Sequence, residues 1–191
     1  MKNILLIDNF DSFTFNLVDF FETAGGNITI FRNDVAVENI RPEKYDLLII
    51  SPGPSVPKNA GNLMKIIEKS LEKVPIFGVC LGHEALAEVF GGSLKFVLPV
   101  HGRSTAIHHD EKTIFENIPQ DFSGGRYHSL AVDAMPKDFE ISATTKDGII
   151  MAMRHKTLPI ESVQFHPESV LTMKKDSGMN IVRNVMRILT R

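Results

Sequence analysis

The chain alternates short apolar runs with amphipathic stretches, and the two patterns predict different elements. Short apolar or β-branched runs predict strands at residues 3–7, 27–32, 46–50 and 75–79. Apolar residues at helical spacing predict helices at residues 12–24, 62–73, 82–90 and 174–189. This order is typical of an α/β fold in which an open, mostly parallel sheet is flanked by helices.

The pattern changes between about residue 93 and residue 165, where helix signals are few. Short strands are predicted there at residues 104–107, 139–144, 149–154 and 160–165. We expect them to form an antiparallel extension on the same core. No linker, internal repeat or low-complexity tract interrupts the sequence, so we expect a single domain over residues 1–191.

Composition excludes several classes of protein. With 43% hydrophobic and 23% charged residues, the chain has the composition of a globular protein. A net charge of −2 argues against a nucleic-acid binder, and the lack of an 18-residue apolar run argues against a membrane segment. The start, MKNILLID, lacks the core of a signal peptide, so we expect a cytoplasmic protein. One cysteine permits neither an internal disulfide nor a cysteine-based zinc site.

That cysteine lies in the motif Gly78-Val79-Cys80-Leu81-Gly82, between a predicted strand and a predicted helix. A nucleophile flanked in this way by glycines is typical of a sharp turn that exposes its side chain at the carboxyl edge of a sheet. The helix N-terminus is expected to lower the thiol pKa, and the Leu81 N–H is free to bind an oxyanion. The alternative is a small buried hydrophobe, which the flanking glycines disfavour.

A thiolate nucleophile needs a base, and His166 is the best candidate. It follows a predicted strand, Pro167 turns the chain there, and Glu168 can fold back to orient the imidazole. Alone, a His-x-Glu pair is more typical of a solvated loop. His83 is expected to pack or orient rather than catalyse. The remaining histidines in polar surroundings are interpreted as loop residues: His108, His109 and His155.

A third element is the loop Ser51-Pro52-Gly53-Pro54, which follows a predicted strand. Its prolines restrict the backbone, and its glycine allows the backbone to approach a ligand closely. The Gly53 N–H is therefore a candidate second oxyanion donor opposite Leu81. Taken alone, the loop is better explained as a plain turn.

The motifs GVCLGHE at 78–84, SPGP at 51–54 and VQFHPES at 163–169 resemble those of the class I, triad-type glutamine amidotransferases. The segments DNFDSFT at 8–14 and RYHSL at 126–130 resemble the small glutaminase subunits that serve anthranilate synthase and aminodeoxychorismate synthase. The resemblance runs over nearly the whole chain. It implies flavodoxin-like layers of helices and sheet.

The resemblance also implies a mechanism. Cys80 attacks the side-chain amide of L-glutamine and forms a γ-glutamyl thioester, His166 moves the protons, and Glu168 orients His166. The N–H groups of Gly53 and Leu81 hold the oxyanion. The ammonia passes to a separate chorismate-utilising synthase chain, and the reaction requires neither a cofactor nor a metal.

Residues that match the family's glutamine contacts are Gly53, Pro54, Ser55, Glu84, Ser129 and Leu130. Two of them depart from the family pattern, because Glu84 stands where glutamine is usual and Ser55 where glycine is usual. An ionised Glu84 cannot donate a hydrogen bond, and its charge would raise the pKa of Cys80. We expect a working enzyme with altered glutamine affinity or pH optimum.

Several functions stay open at this stage. Ammonia supply for anthranilate, and hence tryptophan, is the first interpretation; supply for aminodeoxychorismate and folate, or for both, is the alternative. From another class, a non-catalytic binding partner of the synthase is suggested only by Glu84 and Ser55. A different thiol hydrolase on the same fold, such as a γ-glutamyl peptide hydrolase, is disfavoured by the N-terminal motif. We expect the synthase to bind at the mouth of the site and to reorder loops near Gly53, Gly102 and Ser129.

Overall fold

A nine-stranded sheet forms the centre of the computed structural model, which describes residues 1–190. Its strands are β1 (Lys2–Asp8), β2 (Gly26–Arg32), β3 (Leu47–Ile50), β4 (Ile76–Val79), β5 (Ser93–His109), β6 (Phe122–Ala134), β7 (Phe139–Thr144), β8 (Ile150–His155) and β9 (Ile160–Val163). The α-helices are α1 (Thr14–Thr23), α2 (Leu63–Ser70), α3 (Leu81–Val89) and α4 (Ser177–Leu189). Short 3₁₀ turns lie in several of the connections.

The strand order β2-β1-β3-β4-β9-β8-β7-β5-β6 combines two halves. Pairings are parallel from β2 to β9 and antiparallel from β9 to β6. The predicted α/β class, with a parallel sheet, flanking helices and an antiparallel extension, is therefore confirmed. The parallel half carries the candidate site, because the carboxyl ends of β4 and β9 lie side by side.

The antiparallel half is larger than predicted. Strand β5 spans 17 residues instead of the four expected at 104–107, and β6, with 13 residues, was missed. Much of β5 is exposed, so it lacks the one-sided apolar alternation by which a strand is recognised. The β5–β6 pairing also contains register shifts, and the adjacent glycines at 124–125 weaken the strand signal of β6.

The sheet is covered on both faces, which explains the continuous apolar runs of its parallel strands. In β1, Ile4 and Leu6 belong to the same core cluster as residues of α1 and α4. Leu5 and Ile7 belong to the opposite cluster, with residues of α2 and α3. None of the helices formed by residues 1–190 combines the length and apolar character that a bilayer crossing requires.

Helix α4 begins at Ser177, later than the start at residue 174 that its apolar spacing predicts. The preceding residues form a separate 3₁₀ turn, in which Lys175 and Asp176 have φ angles of 58° and 56°. Such left-handed backbone cannot continue a right-handed helix. The spacing of apolar residues does not indicate this break, because the break depends on backbone angles and not on side-chain polarity.

The connection from β4 to α3 is a strained elbow at Cys80, with φ 52° and ψ −104°. Close packing around it requires glycines on both sides. A Cβ atom on Gly78 would lie 2.7 Å from the backbone of Gly82, and one on Gly82 would lie 2.6 Å from the carbonyl oxygen of Ile50. The Cys80 N–H donates to the Val163 carbonyl at 2.8 Å, which ties the elbow to the end of β9.

Substitution of Gly82 by alanine tests this packing, because helix propensity and tertiary contact predict opposite signs. Alanine is favoured over glycine within a helix by about 1 kcal/mol. The contact with Ile50 instead predicts that Gly82→Ala lowers the free energy of unfolding by about 1–3 kcal/mol. Urea denaturation of the purified chain measures the difference.

The matched control is Gly148→Ala, where an added Cβ would meet no atom within 4 Å and only the φ of +82° opposes the change. We expect a smaller loss there, of about 1 kcal/mol. A Gly82→Ala chain as stable as the unmodified chain would contradict the packing described for the elbow.

Candidate active site

His166 and Glu168 form a buried hydrogen-bonded pair just beyond β9. Nδ1 of His166 lies 2.7 Å from Oε1 of Glu168, and each residue is 2% exposed. The N–H of His166 donates to the Gly125 carbonyl at 2.9 Å, and the Thr172 hydroxyl donates to the His166 carbonyl at 2.6 Å. The carboxylate accepts from Nδ1–H, so the tautomer with a free Nε2 is favoured.

Two aromatic rings hold the imidazole of His166 in place. The Phe13 ring packs at 5.1 Å between centroids, and the Tyr127 ring at 4.9 Å, both edge-on. The Tyr127 hydroxyl lies 3.0 Å from the Ser169 hydroxyl, which fixes the tyrosine on the loop that follows His166. The positioning role of these rings was not predicted, because nothing in their local sequence indicates which side chain they contact.

Cys80 lies beside His166, and the thiol is almost enclosed. Its exposed fraction is 6%, so the turn does not leave the sulfur open to solvent as the motif predicted. The thiol and imidazole are near enough for a side-chain hydrogen bond to influence both pKa values. The contact is looser than an ideal hydrogen bond, because Nε2 of His166 has no partner at hydrogen-bond distance and angle among residues 1–190.

Burial and charge act in opposite directions on this pair. Burial raises the pKa of Cys80 and outweighs the hydrogen bond and charge of His166, which lower it. The expected low thiol pKa is therefore wrong for this closed arrangement. Burial also opposes the charged form of His166, but the Glu168 carboxylate and the Cys80 thiol raise its pKa well above the usual value. A high imidazole pKa favours transfer of the thiol proton to Nε2 once the site admits a polar substrate.

Glu84 faces the same cluster, on the first turn of α3. It is 3% exposed, and its Oε1 accepts from Nε2 of Gln164 at 3.0 Å. Burial raises the pKa of Glu84 to about 7, although the Gln164 hydrogen bond and the charge of His166 favour the ionised form. The carboxyl group is thus present in both forms near neutral pH.

The loop after β3 packs directly on the elbow. A Cβ atom on Gly53 would lie 2.5 Å from the Leu81 side chain and 2.6 Å from Cβ of Asn9, so only glycine fits. Asn9 holds the loop through two hydrogen bonds to Ser51, of 2.9 and 2.8 Å. Within residues 1–190, neither the Gly53 N–H nor the Leu81 N–H donates to a protein acceptor. Both are therefore available to a ligand.

The other expected substrate contacts lie at the edge of this region. Pro54 and Ser55 are exposed, and Ser55 has a φ of 69°, a conformation that the family's usual glycine adopts without strain. Ser129 is exposed and Leu130 is buried, on the strand that places Tyr127 against His166. The structure thus brings the triad, Glu84, Gly53 and Leu81 close together, and it places the remaining residues on flanking loops and on β6.

Two residues are important in the geometry and were given no role by the sequence. Gln164 is fully buried and contacts both Glu84 and Cys80. His128 is buried, shares a hydrogen bond of 2.6 Å with the Leu130 carbonyl and accepts from Arg126 at 2.9 Å. A polar residue between the apolar Val163 and Phe165 was the one available signal for Gln164.

The interpretation of His108, His109 and His155 as loop residues is wrong, because His108 lies in β5, exposed, and the other two end strands. His109 and His155 differ from His108 in their burial. Both are buried at strand ends, where His109 stacks on Phe115 at 4.8 Å and His155 packs edge-on against Phe90 at 5.3 Å. The sequence does not indicate these contacts, because Phe90 is far from His155 in the chain and Phe115 lies among mostly polar residues. His83 is fully buried and shares a 2.9 Å hydrogen bond with Ser162, as expected for a packing residue. Among residues 1–190, no group of three or more potential ligands is arranged to hold a metal.

Comparison with known proteins identifies the family. The sequence model of the family "Glutamine amidotransferase class-I" matches residues 5–186. The chain belongs to this family. Anthranilate synthase component 2 of Methanocaldococcus jannaschii is 45% identical over 191 residues, covering 96% of each chain. Aminodeoxychorismate/anthranilate synthase component 2 of Bacillus subtilis is 46% identical over 185 residues, covering 95% of this chain and 94% of the relative.

Solved structures agree on the fold. A Thermoplasma acidophilum protein, described as a candidate component of GMP synthase, superposes with a TM-score of 0.87 at 26% identity, covering 99% of this chain and 94% of the other. A glutamine amidotransferase from Thermotoga maritima gives a TM-score of 0.78 at 16% identity, covering 100% and 99%. The family-model match and the two relatives confirm the sequence-based assignment to the class I glutamine amidotransferases.

The raised pKa of Glu84 predicts a pH-dependent stability. The pKa is 4.5 in the unfolded chain and about 7 in the folded one, so the folded state holds this proton more firmly. The stabilisation is complete below pH 4.5 and is lost as the pH rises through 7. The free energy of unfolding should therefore fall between pH 5 and pH 8. We expect this fall to be smaller in Glu84→Gln by up to about 3 kcal/mol, because the variant has no carboxyl group to titrate.

Urea denaturation at several pH values measures this decline. Some of it should persist in the variant, because burial also raises the pKa of Glu161 to about 7. The exposed residue Glu22 supplies the control, and Glu22→Gln should leave the pH dependence as it is in the unmodified chain. Parallel stability curves for Glu84→Gln and the unmodified chain would show that Glu84 does not titrate in this range.

Proposed function

We propose that this chain is a glutaminase subunit that hydrolyses L-glutamine at Cys80 and delivers ammonia to a chorismate-utilising synthase, in the first place for anthranilate and tryptophan synthesis. The observation that carries the proposal is the strained elbow at Cys80 beside the buried His166–Glu168 pair. Near full-length similarity to proteins named anthranilate synthase component 2 supports the choice of reaction.

The geometry supports the following steps. Nε2 of His166 takes the thiol proton, and the Cys80 thiolate attacks the side-chain carbonyl carbon of glutamine. The N–H groups of Gly53 and Leu81 stabilise the oxyanion that forms. His166 returns the proton to the nitrogen, which leaves as ammonia, and a γ-glutamyl thioester remains on Cys80. Water, deprotonated by His166, then cleaves the thioester and releases glutamate, while Glu168 keeps the imidazole oriented throughout.

Glutamine binding uses the residues around this core. The Glu84 carboxylate pairs with the α-ammonium of glutamine, where an acceptor is sufficient and the family's usual donor is not needed. Ser129 and Leu130 supply contacts from β6, and Pro54 and Ser55 border the loop that carries Gly53. This arrangement keeps catalysis possible despite the two departures from the family pattern, and so disfavours a non-catalytic binding partner.

The enclosed thiol supports control by a partner. Cys80 is 6% exposed and His166 is 2% exposed, so glutamine reaches them only if the covering loops move. Exposed apolar side chains lie in the segments that flank the site: Phe10, Phe15, Val170 and Met173. Of the three segments expected to reorder, only Gly53 lies in a loop, because Gly102 belongs to β5 and Ser129 to β6. We propose that the synthase covers this apolar rim and shifts the Gly53 loop and the β5–β6 pair at Gly102 and Ser129. The complex would act in the cytoplasm, where the thiol stays reduced.

Aminodeoxychorismate synthesis is the second candidate, because the Bacillus subtilis relative is named for both reactions. The two differ in the synthase partner, so the partner decides between them. Pull-down of the purified chain with each candidate synthase, followed by identification of the product formed from chorismate and glutamine, tests the choice. Binding to neither synthase would overturn the proposal.

Substitution of the nucleophile separates glutamine chemistry from synthase chemistry. We expect Cys80→Ser to lower glutamine-dependent product formation by at least about 10³-fold, because a hydroxyl in this site is far less nucleophilic than a thiolate. With ammonium salt instead of glutamine, the same complex should keep its activity. A glutamine-analogue electrophile should label the unmodified chain at Cys80, and unchanged glutamine-dependent activity in the variant would contradict the assigned nucleophile.

Partner control is tested by glutaminase activity with and without the synthase. We expect the isolated chain to release glutamate at least about tenfold more slowly than the complex, because the substrate must open the site without help, and each 1.4 kcal/mol of opening costs a factor of about ten. Glutamate release is measured at saturating glutamine. Equal turnover by the isolated chain and the complex would show that the partner does not open the site.

A further inference from the structure

Gln164 has a buried side chain that none of the proposed steps uses. It follows β9 directly and is fully buried. Its Nε2 lies 3.0 Å from Oε1 of Glu84 and 3.8 Å from the Cys80 sulfur, whereas its Oε1 is buried and has no partner within residues 1–190. Both polar contacts of this amide are therefore made by its NH₂ group.

The position of Gln164 relative to the thiol is set by the sheet. The Cys80 N–H donates to the carbonyl of Val163, the residue before Gln164, and the Gln164 N–H donates to the Met151 carbonyl, each at 2.8 Å. These bonds hold the backbone on both sides of the contact. The side chain is also fully buried, and a turn about its terminal bond exchanges its NH₂ group and its carbonyl oxygen.

Glu84 determines which end of the amide faces the sulfur. In its ionised form, which predominates above its pKa of about 7, Glu84 only accepts hydrogen bonds, so it selects the NH₂ end of Gln164. A glutamine at position 84 carries both a donor and an acceptor, and would allow either orientation. The amide carbonyl facing the sulfur would repel a thiolate, whereas the NH₂ group stabilises it.

We propose that Glu84 and Gln164 act together as positioning residues, in which Glu84 orients the Gln164 amide and the amide NH₂ group stabilises the thiolate of Cys80. The inference rests on the proposed role of Cys80 as the nucleophile. It explains how this chain accommodates a carboxylate beside its thiol, because the donor oriented by that carboxylate offsets its negative charge.

The single cysteine of the chain makes the test direct. Cys80 is the one thiol that iodoacetamide can alkylate, and the pH midpoint of the alkylation rate reports its ionisation, whereas the absolute rate also depends on how often the enclosed site opens. Four chains are compared: unmodified, Gln164→Met, Glu84→Gln, and the double variant. Methionine has a shape similar to that of glutamine but no strong donor, and the charged groups that act on Cys80, namely His166, Glu84 and Glu168, remain in the Gln164→Met chain.

We expect Gln164→Met to raise the apparent pKa of Cys80 by about one unit, which slows alkylation below that pKa about tenfold. In the Glu84→Gln background the same substitution should have a clearly smaller effect, because the amide is no longer oriented. No shift on Gln164→Met would overturn the contact with the thiolate. Equal shifts in both backgrounds would overturn the orienting role of Glu84.

Two further variants control for structural damage. Gln120→Met changes the chain's other glutamine, which bonds to the backbone of His109, and should leave the alkylation profile as it is. Gln164→Asn keeps the amide but shortens its reach, so it should also raise the apparent pKa of Cys80. It takes the place of Gln164→Met in the comparison if the methionine variant folds poorly. Alkylation requires neither glutamine nor the synthase, so a chain with the expected coupling but without glutaminase activity would overturn the proposed function and keep this inference.

Discussion

The parallel pairing of β4 with β9 is the constraint on which the candidate site depends. It places the elbow that carries Cys80 beside the turn that carries His166 and Glu168, although these motifs are far apart in the sequence. The bond from the Cys80 N–H to Val163 continues the pairing past the end of β4. A shift in register would displace the whole site, and because both strands are buried on both faces it would also disrupt the packing on either side of the sheet.

The chemistry of the site follows from charges held in a poorly hydrated space. Burial disfavours the ionised forms of Cys80, His166 and Glu84 alike. Glu168 reverses this for His166, since a carboxylate at 2.7 Å from Nδ1 stabilises the imidazolium strongly. The ionised form of the thiol is favoured by His166 and, in our proposal, by the amide NH₂ group of Gln164. A site of this kind is sensitive to any movement that admits water or substrate.

The two departures from the family pattern have different physical consequences. Ser55 lies in a left-handed conformation on an exposed loop, so its cost is local backbone strain. Glu84 is enclosed near the sulfur, so its effect is electrostatic and reaches the nucleophile. The structure therefore makes Glu84, and not Ser55, the residue that sets this chain apart from the family pattern in the chemistry of the thiol.

The sequence by itself determined the α/β class, the elbow around Cys80, the His166–Glu168 pair and the position of Gly53 opposite Leu81. Each of these follows from local rules: apolar runs, glycines where a Cβ does not fit, and a proline that turns the chain. Only the tertiary structure decided the extent of β5 and β6, the aromatic packing on His166, the enclosure of Cys80 and the contacts of Gln164. These features depend on which distant segments pack together. The burial of a side chain and the pKa of a group follow from that tertiary packing and not from the residues next to it in the chain.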